Sequence, residues 1–290
     1  MIVKMTEQNI DEVINFILPN EFFSCGLIAR ITEKRKPKMP ESNTEVFILK
    51  YNNTIHGIIL FANGNLCMHH LPFCKKNIPG TPKKSIINDL KNLFAYKNLY
   101  CITGEKNATK FVQQIYWDKA KIQYDYELRI FDSSIKCTNF YKTDLAKNFT
   151  IVKCTEKDAD KLLPLQIKYE IIEVLPNPES LNETICYKNL IHSLKTQTII
   201  AIKENKTNIF CAKAGTNAIG INLVQLGGVF TDEKFRGKGF AKFLVRHLAE
   251  EATKNNKGSV LFVKENNESA KKAYTNAGFK IFGSYRIVYY

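Results

Sequence analysis

The chain has 290 residues, 44% hydrophobic and 24% charged, which is the composition of a globular protein with room for two domains. Forty-two basic and 28 acidic residues leave a formal charge of +14, spread evenly as 20 basic and 14 acidic residues in 1–145 and 22 and 14 in 146–290. That evenness argues against a dedicated nucleic-acid face, which would concentrate its charge, and no apolar run approaches the roughly 18–20 residues of a membrane span.

Acid appears by Glu7 and no long apolar core follows, so the amino terminus does not read as a secretion signal and the expected location is the cytoplasm. Ile2-Val3-Lys4 begins a strand, and Thr6 is placed to cap the helix after it. The string Ile2-Val3-Lys4-Met5-Thr6-Glu7 returns 149 residues later as Ile151-Val152-Lys153-Cys154-Thr155-Glu156, and at the same offset Asp11 matches Asp160 and Glu21 matches Glu170. Such an offset predicts two similar units. Each half then shows a hairpin: Val46–Lys50, a turn at Asn52-Asn53 and Ile55–Phe61 in the first, and Thr198–Lys203, a turn at Glu204–Lys206 and Ile209–Ala214 in the second. A strand, a helix, a strand, a short helix and a tyrosine-rich strand follow in each, with Tyr124–Phe131 closing the first unit and Ser284–Tyr290 the second. The expected organisation is two tandem mixed α/β units, 1–145 and 146–290, joined near Thr143–Phe149.

Eight cysteines are scattered along the chain with no Cys-x-x-Cys, the pattern of free thiols in a reducing compartment. Cys67, His69 and His70, with Cys74 four residues on, are zinc-ligand types. They fall on an alternating strand that points neighbours to opposite faces, which favours a packed strand over a metal site.

The segment with the clearest chemistry lies in the second half. Leu223–Thr231 is an apolar strand containing Gly227-Gly228, and glycine inside a strand marks a bulge or a close backbone approach. A polar loop, Asp232–Phe235, leads to Arg236-Gly237-Lys238-Gly239-Phe240-Ala241, and Phe240, Phe243, Leu244, Val245 and Leu248 then recur at helical period. A glycine-rich loop feeding a helix N-terminus gathers free backbone N–H groups and the positive end of the helix dipole, an arrangement suited to anions. Gly237 and Gly239 let oxygens approach the main chain, and Arg236 and Lys238 add charge. Neither a Walker loop nor a Gly-x-Gly-x-x-Gly fingerprint is present.

This string resembles motif A of the GNAT N-acetyltransferases, Arg/Gln-x-x-Gly-x-Gly/Ala, with Arg236, Gly239 and Ala241 in the three places. Downstream, the apolar run Ser259–Val263 leads to Asn267 and a helix ending in Tyr274, Gly278 and Phe279, which is similar to motif B of that family. The resemblance covers residues 150–290 and implies two GNAT-like units, each a mixed, mostly antiparallel sheet flanked by helices. It implies acetyl-CoA as the acyl donor and an amine of a small molecule or peptide as the acceptor. The pantetheine arm would run along Gly228, Val229, Phe230 and Thr231, and the pyrophosphate would sit on the amides of Arg236, Gly237, Lys238, Gly239, Phe240 and Ala241. Asn267 would contact the pantetheine, the alternative being a helix cap. Tyr274 would protonate the departing thiolate, the alternative being a packing aromatic. For the base, Glu170 and Glu173 are three apart on one expected helix face, and Glu265 is a further candidate. No metal is implied.

At the motif A position the first half reads Leu71-Pro72-Phe73-Cys74-Lys75-Lys76-Asn77-Ile78-Pro79-Gly80-Thr81-Pro82, where prolines remove donors that a phosphate would need. It is expected to keep the fold without a CoA phosphate loop. Two other functions fit the sequence less well: a CoA-binding sensor without turnover, and aminoacyl transfer of the peptidoglycan type, which also pairs GNAT-like units.

Overall fold

The computed structural model describes residues 1–33, 44–74 and 80–290. The chain forms two compact units, Met1–Leu128 together with Phe282–Tyr290, and Arg129–Ile281. Both have the expected composition of a mixed, mostly antiparallel sheet flanked by helices. Among the described residues no helix is long and apolar enough to cross a membrane.

The first unit runs β1 (Ile2–Lys4), α1 (Ile10–Ile17), α2 (Glu21–Glu33), β2 (Glu45–Tyr51), β3 (Thr54–Ala62), β4 (Leu66–His70), α3 (Lys83–Phe94), β5 (Cys101–Glu105), α4 (Lys106–Ile115) and β6 (Ile122–Phe131), whose last residues pass into the second unit. The β2–β3 turn falls where the sequence places it. Asn52 and Asn53 take φ of 47° and 59°, the left-handed pair that a tight hairpin needs and that asparagine tolerates. Thr6 begins the first helical turn, its N–H donating to Asn9 Oδ1 at 2.9 Å. Cys67 and the two histidines lie on β4 as a packed strand. His69 Nε2 meets Thr109 Oγ1 of α4 at 3.0 Å, and His70 Nδ1 meets Ser24 Oγ of α2 at 3.0 Å. Successive side chains thus reach helices on opposite faces of the sheet. Residues 75–79 of the first half's Leu71–Pro82 stretch lie outside the described residues.

The second unit runs α5 (Leu145–Asn148), β7 (Phe149–Lys153), α6 (Ala159–Tyr169), α7 (Glu183–Thr196), β8 (Ile199–Glu204), β9 (Phe210–Ile219), β10 (Leu223–Thr231), α8 (Phe240–Lys254), β11 (Gly258–Lys264), α9 (Glu268–Asn276) and the start of β12 (Phe279–Tyr289). Its strands are ordered β11-β10-β9-β8-β7. Thr155 repeats the device of Thr6, its N–H donating to Asp158 Oδ2 at 2.8 Å. The sheet is covered on both faces. One face packs on α8 and α9 through Phe240, Leu244, Val245 and Phe279, and the other packs on α6 and α7 through Leu162, Leu190 and Phe230. Each such side chain contributes about 1.5–3 kcal/mol on full burial, so α8, with seven buried residues, is anchored firmly enough to hold its N-terminus in place.

One expectation is corrected. Ser284–Tyr290 does not close the second unit: β12 pairs antiparallel with β5, Tyr285 against Glu105 through to Tyr289 against Cys101. Within the first unit the order is β1-β2-β3-β4-β5-β12-β6, so the chain's last strand separates that unit's own final two. Side chains explain the choice. Arg286 is buried and grips Asp125 of β6 through two bonds, at 2.6 and 2.8 Å, while Val288 and Tyr290 join the core beneath. Gly283 admits the ring of Phe23, whose Cζ would lie 2.7 Å from any added Cβ. The compact units therefore break at different residues from the sequence repeat. The connecting segment after Leu128 belongs to the second unit, where Phe140 packs on Phe243.

Candidate acyl-donor cleft

The site of the second unit is built around β10. Its parallel pairing with β11 extends from Leu223–Gly258 to Leu226–Leu261. On its other side the ladder with β9 slips between Gly227–Gly215 and Phe230–Lys213, so Gly228 and Val229 together oppose Ala214. This is a β-bulge, and Gly228 supports it with φ +59°. The bulged strand frees main-chain groups from the ladder beside the point where the β11 pairing ends. Val229 packs toward α8 and Phe230 toward α6, its ring 6.4 Å from that of Tyr169. Thr231 returns to the ladder opposite Ala212.

The loop after β10 is rigid by local bonding. Asp232 accepts from Lys234 N at 3.1 Å and pairs with Lys168 of α6 at 2.5 Å, and that lysine holds its carboxyl below the usual range. Arg236 donates through Nε to Thr231 O at 3.3 Å, which keeps its exposed guanidinium over the loop. Gly237 and Gly239 both take left-handed φ, +80° and +78°, and Gly239 is the N-cap of α8. A Cβ on Gly237 would meet no atom within 4 Å, so a side chain there would point into open space. Lys238 lies with its ammonium 5.9 Å from the Phe149 ring. Phe240 is buried, 5.0 Å from Phe149, so only its main chain is available to a ligand, and Ala241 follows in the first turn of α8. The opening N–H groups of such a helix have no partner within it.

Asn267 caps α9, its Oδ1 accepting from Ala270 N at 3.0 Å. Tyr274 on that helix is buried, and burial pushes its hydroxyl well above the usual range, with Tyr169 and Glu173 adding to the effect. Arg129 holds α9 by donating to Lys271 O at 3.1 Å and to Thr275 Oγ1 at 2.6 Å.

Glu170 and Glu173 do not share a face of an α-helix. After Tyr169 the chain widens into a π-helical turn, Glu170–Val174, and the two carboxylates meet different partners. Glu170 accepts from Gln166 Nε2 at 2.8 Å. Glu173 lies 3.5 Å from Lys264 Nζ, which also donates to the Glu173 carbonyl at 2.9 Å. Because Lys264 ends β11, these contacts hold the turn against the end of that strand. Glu265 follows Lys264, and its carbonyl accepts from Lys271 Nζ at 2.8 Å.

One group at this site was not singled out from the sequence. Lys213 on β9 is 4% exposed, donates to Gly228 O at 3.0 Å, and stands 4.3 Å from the centroid of the Tyr169 ring. Burial pushes it down to about 8, against the opposing pull of Glu170. The available signal was a lone lysine inside the apolar run Phe210-Cys211-Ala212-Lys213-Ala214.

In the first unit β4 and β5 likewise pair in parallel only from Leu66–Cys101 to Met68–Thr103. Beyond that point the His69 ring lies on Gly104, where an added Cβ would sit 2.3 Å from the ring. A buried imidazole thus packs where the β4–β5 pairing ends.

A family described as FR47-like protein matches residues 202–287. Solved structures similar over the whole chain include a Drosophila protein (TM-score 0.70, 10% identity, covering 100% of this chain and 98% of that one). A tandem GNAT protein from the clavulanic acid biosynthesis pathway aligns at TM-score 0.61 and 7% identity, with coverage of 99% and 97%. An acetyltransferase of the GNAT family from Colwellia psychrerythraea aligns at TM-score 0.56 and 10% identity, with coverage of 100% and 98%. No curated protein matches the sequence.

Proposed function

We propose that this chain is a member of the GNAT superfamily and that its second unit transfers an acetyl group from acetyl-CoA directly to an amine of a small molecule or peptide. The observation that carries the reading is the bulge at Gly228-Val229, which frees main-chain groups where β10 and β11 stop pairing, next to a left-handed glycine loop at the head of α8.

In this reading the pantetheine arm bonds to the free edge of β10 from Gly228 to Thr231. The pyrophosphate rests on the amides of Arg236 to Ala241, with Arg236 and Lys238 supplying charge. Asn267 turns its side-chain amide toward the pantetheine while its oxygen caps α9. The Val229 N–H faces the thioester oxygen and stabilises the oxyanion as the amine attacks. The proton lost by the amine passes to Glu170 or Glu173, whose carboxylates also draw a cationic acceptor to the cleft. Tyr274, held protonated by its surroundings, returns a proton to the CoA sulfur. The first half, 1–145, lacks the Arg-x-x-Gly-x-Ala string, and one CoA is expected to bind per chain.

Titration calorimetry with acetyl-CoA, followed by thiol release across a panel of amines, tests the proposal. One site per chain and amine-dependent thiol release are expected. Binding of two CoA molecules refutes the assignment of the first unit, and tight binding without release to any amine favours a sensor.

A further inference from the structure

Lys213 is not part of the chemistry just set out, yet it is the most deeply buried charge in the second unit's cleft. Burying an ammonium is costly unless its donors are used. Here one donor goes to the carbonyl of the bulge residue, Gly228, at 3.0 Å, and the ammonium also lies over the electron-rich face of Tyr169 at 4.3 Å. The bulge therefore has a charged partner reaching across from β9.

Two physical consequences follow. A trans peptide is planar, and its C=O and N–H point in opposite directions. The chain has no cis bonds among its described residues, so holding Gly228 O toward Lys213 turns the N–H of Val229 away from the ammonium. Moreover, a hydrogen bond from a cation to a carbonyl withdraws electron density from that peptide and strengthens its N–H as a donor, the more so where water is excluded.

We propose that Lys213 is a positioning residue that orients and polarises the Gly228–Val229 peptide, so that the Val229 N–H acts as a strong donor to the thioester oxygen. The inference rests on the acetyl-CoA reading above and adds to it the source of the donor's strength. It also accounts for a lysine in the otherwise apolar run Phe210–Ala214, opposite Phe230 and bonded to a left-handed glycine.

The test uses the full chain and acetyl-CoA labelled with 13C at the carbonyl. Isotope-edited infrared spectra of the bound ligand report polarisation of the carbonyl without any acceptor amine. In the wild-type protein the stretch is expected to fall below its value in water. Lys213→Met, which keeps a linear apolar side chain, is expected to lose most of that fall while binding acetyl-CoA within about threefold, and Lys213→Arg to recover part of it. Thiol release in Lys213→Met is expected to drop by about tenfold or more, since oxyanion donors carry large rate effects. Should the Met variant not fold, Lys213→Gln takes its place, retaining a donor without the charge, with a partial loss expected. A folded Lys213→Met variant that binds acetyl-CoA and keeps the wild-type carbonyl stretch overturns the proposal and leaves the acetyl-CoA reading standing. A wild-type chain that binds no acetyl-CoA overturns the proposed function, and the role of Lys213 with it.

Discussion

Gly237 offers the sharpest test of the phosphate loop, because its two costs separate. Substitution by alanine places an L side chain at φ +80°, a left-handed conformation that costs roughly 1–2 kcal/mol. No packing penalty is added, since the new Cβ meets no atom within 4 Å. For a unit of this size the stability loss corresponds to about 2–8 °C in melting temperature. The methyl group, however, stands in the space through which a pyrophosphate would reach the amides. Acetyl-CoA affinity is therefore expected to fall by about tenfold or more, through lost main-chain contacts to an anion. Gly64→Ala is the matched control, with φ +73° and likewise nothing within 4 Å, but in the first unit. It is expected to lose similar stability with unchanged affinity. The assays are thermal melting without ligand and calorimetry with acetyl-CoA. A folded Gly237→Ala variant that binds as well as Gly64→Ala refutes the assignment of the loop.

Tyr274→Phe keeps the buried ring and removes the hydroxyl, so turnover is expected to drop by about 10²-fold, the lower end for general acid catalysis, with acetyl-CoA affinity unchanged; wild-type turnover would return the residue to a packing role. Burial pushes His69 down to about 3 and His70 down to about 4. Both are neutral in the fold and take up protons below about 6.5 when unfolded, so their stabilisation is complete above that pH and lost as pH falls. Between pH 7.5 and 5.5 the first unit is expected to lose about 2–3 kcal/mol in urea unfolding, and a flat profile would contradict their burial. Arg286→Met leaves Asp125 with Lys106 and removes the paired bonds that seat β12; losing hydrogen bonds to a charged group costs about 1.5–3 kcal/mol, and hydrogen exchange is expected to rise across Cys101–Glu105. Unchanged protection there would mean that β12 is held by other contacts.

Much of the second unit was legible in the residues themselves. The helix face of Phe240, Phe243, Leu244, Val245 and Leu248 is buried as its period predicts, and the glycines at 228, 237 and 239 all take left-handed backbones that other residues avoid. The asparagine turn and the paired threonine caps also sit where the sequence places them, because each depends on a few adjacent residues. What the sequence could not decide was pairing over long distances. Ser284–Tyr290 reads as a strand, but a β-prone pattern does not name its partner, and the choice of β5 rests on Arg286 meeting Asp125, 161 positions earlier. The π turn likewise overrode the expected helix face, since the partners of Glu170 and Glu173 come from different parts of the fold. Lys213 and His69 acquire meaning only from what stands opposite them. Lys213 bonds to the carbonyl of the bulge glycine and His69 packs as a neutral ring on Gly104, because burial and a neighbouring glycine set what each side chain can do.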